Sequence, residues 1–314
     1  MNITITGNLG AGKSSVCKEL SKRGYEIISA GTIFRDVAAE RGISVVELNE
    51  LAKRDSSIDD LIDERSVKLG TELDGVVFDS RLAWHFVPKS FKVFLLIDQD
   101  EAAKRVQCDT TRTSEEYGSV EEASAALFKR AALEQQRFKK LYDINYYDLT
   151  NYDLVIESTF ATPEQITDEI LRNFKEYQQK RFDSVKIELN TRMLYPTQSF
   201  RDFNSSIFEK YYEVEMSNKT CCALEDVLVT FKNGYTYLCD GHHHTFAAIR
   251  AGKAFAVVRG ISNEASVDSM PMKELFDFED LGGFSYKFNP DVDNHRAGFY
   301  AEFPHGSVKA INCF

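Results

Sequence analysis

A chain of 314 residues with 43% hydrophobic and 28% charged side chains has the make-up of a globular protein, long enough for two domains, and is not disordered or fibrous. Its 49 acidic against 38 basic residues leave a net charge of −11, which excludes non-specific attraction to nucleic acid or an anionic membrane; an anionic ligand needs locally clustered arginines. No apolar run approaches the roughly 18 residues of a membrane span, the start lacks a signal-peptide pattern, and the six cysteines form no C-x-x-C pair, so a cytoplasmic protein with reduced thiols is expected.

Up to about residue 181, short β-branched runs alternate with helical patterns, the rhythm of a five-stranded parallel sheet with helices on both faces. The first run, Ile3-Thr4-Ile5, leads straight into Gly7-Asn8-Leu9-Gly10-Ala11-Gly12-Lys13-Ser14, followed by Ser15 and a helical pattern. This is the Walker A spacing in its proper strand-to-helix context, and it predicts an ATP site. Backbone N–H groups of Gly7, Asn8, Gly10, Ala11 and Gly12 wrap the phosphates, the helix start adds its dipole, Lys13 neutralises developing charge, and Ser14 is a ligand for Mg²⁺.

The second run is Tyr25-Glu26-Ile27-Ile28, and Ser44-Val45-Val46-Glu47 reads as a capping box. The third, Val76-Val77-Phe78, ends on Asp79, where an open parallel sheet places its ligands. Asp79 is read either as a group holding Mg²⁺ or orienting the acceptor, or as an ordinary turn former. After the fourth run, Val93 to Ile97, the stretch 109–118 lacks apolar periodicity and reads as a loop, and Ser119 to Leu141 as a long helix with one exposed face. Leu154-Val155-Ile156 is the fifth run, and Thr162-Pro163-Glu164 starts a helix with Pro at its first position.

A boundary is expected between residues 181 and 182, giving domains 1–181 and 182–314. Beyond it come two strands, Val227 to Phe231 and Tyr235 to Leu238, around an Asn233-Gly234 turn, then a helix from Thr245 to Ala251 and the strand Ala254 to Val258. The residues Asp240-Gly241-His242-His243 lie between strand and helix, again an anion-binding context, with a structural turn or a metal site as the alternatives.

Ser29-Ala30-Gly31-Thr32-Ile33-Phe34-Arg35, Asp79-Ser80-Arg81-Leu82-Ala83, Arg130, Glu134, Arg137, Tyr142-Asp143-Ile144 and Asn151 to Ile156 together resemble the short, archaeal-type cytidylate kinases, over slightly more than half of the chain. The resemblance implies a nucleoside monophosphate kinase using ATP and Mg²⁺, with CMP or dCMP as acceptor. It implies that Ser29, Arg35 and Arg81 hold the acceptor phosphate, and that Arg112, Arg130 and Arg137 belong to a lid over the transferring group. Lys13, Asp79, Arg130 and Arg137 then form the catalytic set. Ser80 stands where that family usually has Gly. Adenylate, uridylate and dephospho-coenzyme A kinases share this loop-and-lid logic.

The second half resembles the ParB and sulfiredoxin-like fold, a smaller α+β domain, among members with an Asp-Gly-His-His-Arg motif; His244 replaces the Arg. That likeness leaves two further readings open: a small-molecule kinase whose acceptor is partly held by the second half, or a nucleotide-regulated ParB-like binding protein.

Overall fold

The computed structural model describes residues 1–52, 54–55, 57–109, 117–180, 186–196, 206–217, 227–232, 235–258 and 260–262. In chain order the first half runs β1 (Asn2–Gly7), α1 (Lys13–Lys22), β2 (Ile27–Ser29), α2 (Ala30–Glu40), α3 (Val45–Ala52), α4 (Ser57–Glu72) and β3 (Val77–Asp79). It continues α5 (Ala83–Phe86), β4 (Ser90–Leu96), α6 (Gln99–Cys108), α7 (Val120–Tyr142), β5 (Leu154–Glu157) and α8 (Pro163–Gln178). The second half holds β6 (Lys186–Asn190), β7 (Leu194–Pro196), α9 (Ser206–Ser217), β8 (Leu228–Lys232), β9 (Tyr235–Asp240), α10 (His242–Arg250), β10 (Phe255–Val258) and β11 (Gly260–Ser262).

All five expected strands of the first half are present and parallel, in the order β5-β4-β1-β3-β2. Every residue of β1 is buried, as a strand covered on both faces and flanked on both edges requires. The helix starts follow from their capping chemistry. Ser44 and Glu47 exchange backbone hydrogen bonds, Ser119 accepts from the Glu122 N–H at 3.2 Å, and Thr162 and Gln165 form a capping box ahead of Pro163.

The expectation of a five-stranded sheet is corrected by the second half. β6 pairs parallel with β5, and β10 pairs antiparallel with β6, so the sheet has seven strands and runs across the expected boundary between residues 181 and 182. The strand expected at Ala254 to Val258 therefore joins the large sheet. Charge anchors this junction: the fully buried Glu188 of β6 accepts from Arg172 at 2.5 Å and Asn173 at 2.9 Å, both on α8. Burial and the neighbouring Glu188 raise the Glu169 carboxyl above its ordinary range, while Arg172 opposes them.

A second sheet has the order β11-β8-β9-β7, with β8 and β9 antiparallel as expected; the Asn233-Gly234 turn lies outside the described residues. The helix expected at Thr245 begins at His242, because Gly241 takes the left-handed cap position at φ 85°. Among the described residues no helix is long and apolar enough to cross a membrane.

The main core lies around β1, β4 and β5, with Phe94 and Tyr152 rings 4.9 Å apart and the Tyr152 hydroxyl donating to the Tyr146 carbonyl at 2.6 Å. Helices α2, α3 and α4 enclose a separate small core of Val37, Ala38, Leu48 and Ile58. The first helix of this arm, α2, begins directly at the carboxyl end of β2.

At the end of β5, Glu157 is fully buried; burial pushes its carboxyl up to about 7 against the bonds it accepts from Thr159, and one carboxyl oxygen has no partner among the described residues. Its folded pKa lies above the unfolded value, so its ionisation removes stability as pH rises from about 4.5 through about 7. Glu157→Gln should therefore be more stable than the parent at pH 8, by on the order of 2 kcal/mol in urea unfolding, with the gap closing by pH 4.5. An unchanged gap at both pH values would show that this carboxyl is not the cause.

Candidate active site

The phosphate loop is shaped by close backbone approaches. A Cβ on Gly7 would sit 2.6 Å from the Leu95 carbonyl oxygen of β4, and one on Gly10, at φ 82°, would sit 2.8 Å from the Ala102 Cβ of α6. Gly12 caps α1 at φ 82° with no side-chain cap, leaving the helix start to a ligand. Ser158, just past β5, straps the loop from below by donating to the Leu96 carbonyl at 2.7 Å, with the Ala11 carbonyl 3.2 Å away.

Strand register aligns two of the expected site residues, Asp79 and Ser29, with Ile5. Ile5 of β1, Asp79 of β3 and Ser29 of β2 are successive partners at the carboxyl edge of the sheet. Asp79 forms an ion pair with Lys13, and both side chains are about 15% exposed or less. Beneath them burial, with help from the Asp79 charge, pushes the Cys17 thiol up to about 12, so it stays protonated.

Ser29 caps α2. Its Oγ accepts from the Thr32 N–H at 2.9 Å, and Arg35 donates to the Thr32 Oγ1 at 3.2 Å. A Cβ on Gly31 would lie 3.7 Å from both the Ser29 Oγ and an Arg35 nitrogen. These residues form one small polar cradle at the mouth of the α2–α4 arm.

A cavity of about 690 Å³ opens over the loop, lined by residues from Asn8 to Ser15 together with Arg81, Arg105, Cys108, Asp109 and Arg130. Arg81 donates to Glu134 at 2.8 Å, and Arg130 donates to the other oxygen of the same carboxylate at 3.0 Å. Burial works against the Arg81 charge, but Glu134 outweighs it and holds the guanidinium fully protonated; burial likewise opposes the Glu134 charge, and Arg81 and Arg130 pull its carboxyl below the ordinary range.

The phosphate loop, Arg81 and Arg130 thus line one cavity, whereas Ser29 and Arg35 are not in its lining. Arg137 does not reach this cavity: two turns further along α7, it pairs with Asp59 of α4. Its neighbour Tyr142 donates to Asp63 of the same helix at 2.6 Å, and burial pushes that carboxyl up to about 6. Arg112 lies outside the described residues.

Sequence reasoning missed Arg105 and the bridging role of Glu134. Arg105, in the last turn of α6, donates to the Ser158 and Thr159 carbonyls at 3.0 and 2.7 Å, and lies 3.8 Å from where a Gly12 side chain would begin.

In the second half, Gly241 has the same backbone shape as Gly12, φ 85° and ψ 21° against φ 82° and ψ 21°, each opening a helix after a strand. Asp240 ends β9, and His242 and His243 begin α10.

Residues 2–159 match the model of the cytidylate kinase-like family. A cytidylate kinase from Sulfolobus acidocaldarius is 38% identical over 174 residues, covering 54% of this chain and 92% of the relative. One from Methanocella arvoryzae is 38% identical over 160 residues, covering 51% and 88%, and one from Thermoplasma volcanium is 31% identical over 192, covering 60% and 98%. With nearly the whole length of these relatives matched and the phosphate loop, Asp79 and Arg81 in place, the chain belongs to the cytidylate kinase-like family.

Proposed function

We propose that the chain transfers the γ-phosphoryl group of ATP to a nucleoside monophosphate, CMP or dCMP, giving ADP and the nucleoside diphosphate. The observation that carries this reading is the single cavity in which the phosphate loop faces Arg81, Arg105 and Arg130. Phosphoryl transfer asks mainly for positioning and charge neutralisation, and this arrangement supplies both. The choice of CMP follows from the cytidylate kinases that the chain resembles.

The ATP phosphates take the free N–H groups at the start of α1, and Lys13 exchanges Asp79 for the phosphate oxygens. The acceptor phosphate sits in the Ser29, Thr32 and Arg35 cradle, with Arg81 between the two sites. Its own oxygen is the nucleophile and is already ionised near neutral pH, so no strong base is required. Arg130 leaves Glu134 to meet charge spread over the transferring group.

Ser14, next to Lys13 at the helix start, and Asp79, which pairs with Lys13 at the strand end, offer the hard oxygen donors that suit Mg²⁺. The ion would neutralise charge on the phosphates between donor and acceptor.

Turnover against a panel of nucleoside monophosphates tests the reading. CMP and dCMP should give kcat/KM at least about tenfold above UMP and AMP, the effect of roughly 1.4 kcal/mol of discrimination. A preference for another monophosphate, or none turned over at all, overturns the assignment.

The two arginine roles separate kinetically. Arg35→Ala should raise KM for the acceptor and leave ATP affinity little changed, whereas Arg130→Ala should lower kcat, by about 100-fold on the scale of losing one preorganised charge. Both variants changing only ATP binding would contradict this division.

For the second half, a ParB and sulfiredoxin-like module taking a phosphate-bearing ligand at Asp240, Gly241, His242 and His243 is supported by the shared cap geometry of Gly241 and Gly12. Equilibrium dialysis of the full chain against ATP should then count a second site that a His242→Ala, His243→Ala double variant loses. One site per chain in both proteins would remove this proposal.

A further inference from the structure

The two residues that follow β5 hold Arg105 by their carbonyls, and the carboxyl just before them is buried. Arg105 donates through Nη2 to the Ser158 and Thr159 carbonyls at 3.0 and 2.7 Å, and through Nε to Glu101 at 3.0 Å. These bonds clamp the guanidinium by one edge. The other nitrogen, Nη1, lies 3.8 Å from where a Gly12 Cβ would be, beside the uncapped start of α1 and in the wall of the phosphate cavity.

Glu157 shapes the segment that makes this clamp. Its Oε1 accepts from the Thr159 N–H at 2.9 Å and from the Thr159 hydroxyl, which itself accepts from the Asp98 N–H at 3.0 Å. Asp98 caps α6, the helix that carries Arg105, by accepting from the Glu101 N–H at 2.9 Å. The contacts close a ring: Glu157, Thr159, Asp98, Glu101, Arg105 and back to Thr159. Ser158 ties this ring to the phosphate loop, with its hydroxyl 3.2 Å from the Ala11 carbonyl.

Charge makes the ring responsive. Burial pushes the Glu157 carboxyl up to about 7; among the charged groups around it, Asp98 also opposes its ionisation and Arg105 favours it. Glu101 and Lys104 of α6 act on the same pair, Glu101 through Arg105 and Lys104 through Asp98. An ionised Glu157 therefore draws the guanidinium back toward the strand end and opposes a phosphate in the cavity, while a neutral one leaves Nη1 available to it.

We propose that Glu157 is a positioning residue for the ATP phosphates, acting through Thr159 and the Arg105 clamp and touching no ligand itself, with its protonated form the one that favours ATP. The inference rests on the reading of the phosphate loop as the ATP site. Because phosphate charge near Arg105 favours the neutral carboxyl, ATP binding is linked to retention of the Glu157 proton, and affinity is lost as pH rises through its titration.

Calorimetric titration of the full chain with a non-hydrolysable ATP analogue and Mg²⁺ at pH 6 and pH 8 tests the proposal. The parent's affinity should fall about three- to tenfold, since a group titrating near 7 is only about one-tenth protonated at pH 8. Glu157→Gln keeps an acceptor for Thr159 but cannot ionise, so it should match the parent at pH 6 and lose most of the fall. Arg105→Ala should bind more weakly at pH 6 and also lose the fall. A purely structural role would shift affinity equally at both pH values. Equal affinity of the parent at pH 6 and pH 8, a fall in Glu157→Gln as large as the parent's, or an undiminished fall in Arg105→Ala would each overturn the proposal. No binding by the parent at either pH would instead remove the ATP site itself, and this inference with it. The parent's own pH series needs no variant, so it stands even if a substitution impairs folding.

Discussion

The catalytic apparatus depends on how tightly the strand before the phosphate loop is held. β1 is buried along its whole length between β3 and β4, and where it ends, at Gly7, there is no room for a side chain against Leu95. Gly10 is pressed against α6 in the same way, and Ser158 holds the underside. Three neighbours thus impose the loop conformation before any ligand arrives. That preorganisation lets backbone N–H groups act on phosphate without a reorganisation cost at the moment of reaction.

The second constraint is charge. A protein with a net charge of −11 gathers Lys13, Arg81, Arg105 and Arg130 around one cavity, and among the described residues each has an acidic partner: Asp79, Glu134, Glu101 and again Glu134. A partly buried cation without a counter-charge is costly, so these acids hold the cations in the ligand-free chain. The Arg137–Asp59 and Tyr142–Asp63 contacts work at another place, joining α7 to the α2–α4 arm. Helix α7 and the α2–α4 arm are therefore linked through side chains outside the phosphate-loop cavity.

The phosphate loop and the five parallel strands were legible because each rests on local spacing, whereas the meeting of Arg81 with Arg130 across Glu134 was not. Arg137 lies two turns from Arg130 on α7, on nearly the same face, and pairs with Asp59 of α4, a partner from another element that sequence spacing does not show. Glu134 was legible as a motif residue but not as a bridge, since that role needs Arg81 to arrive from another element. β10 was legible as a strand but not as part of this sheet, and β6 was hidden for a different reason. β6 reads Lys-Ile-Glu-Leu-Asn, a pattern of an exposed strand, and its Glu188 and Lys186 are internal only because Arg172, Asn173 and Glu176 of α8 meet them. Long-range charge pairing of that kind leaves no periodic signal.

The central claim is that Lys13 and Asp79 are exchangeable partners at the preformed loop. The most direct measurement is a crystal structure of the full chain with Mg²⁺, a non-hydrolysable ATP analogue and CMP. The account predicts analogue phosphates on the N–H groups of Gly10 to Ser14, the Lys13 Nζ moved from Asp79 to a phosphate oxygen, and the CMP phosphate between Ser29, Arg35 and Arg81. A nucleotide bound elsewhere, or Lys13 still paired with Asp79 beside bound phosphates, would contradict it.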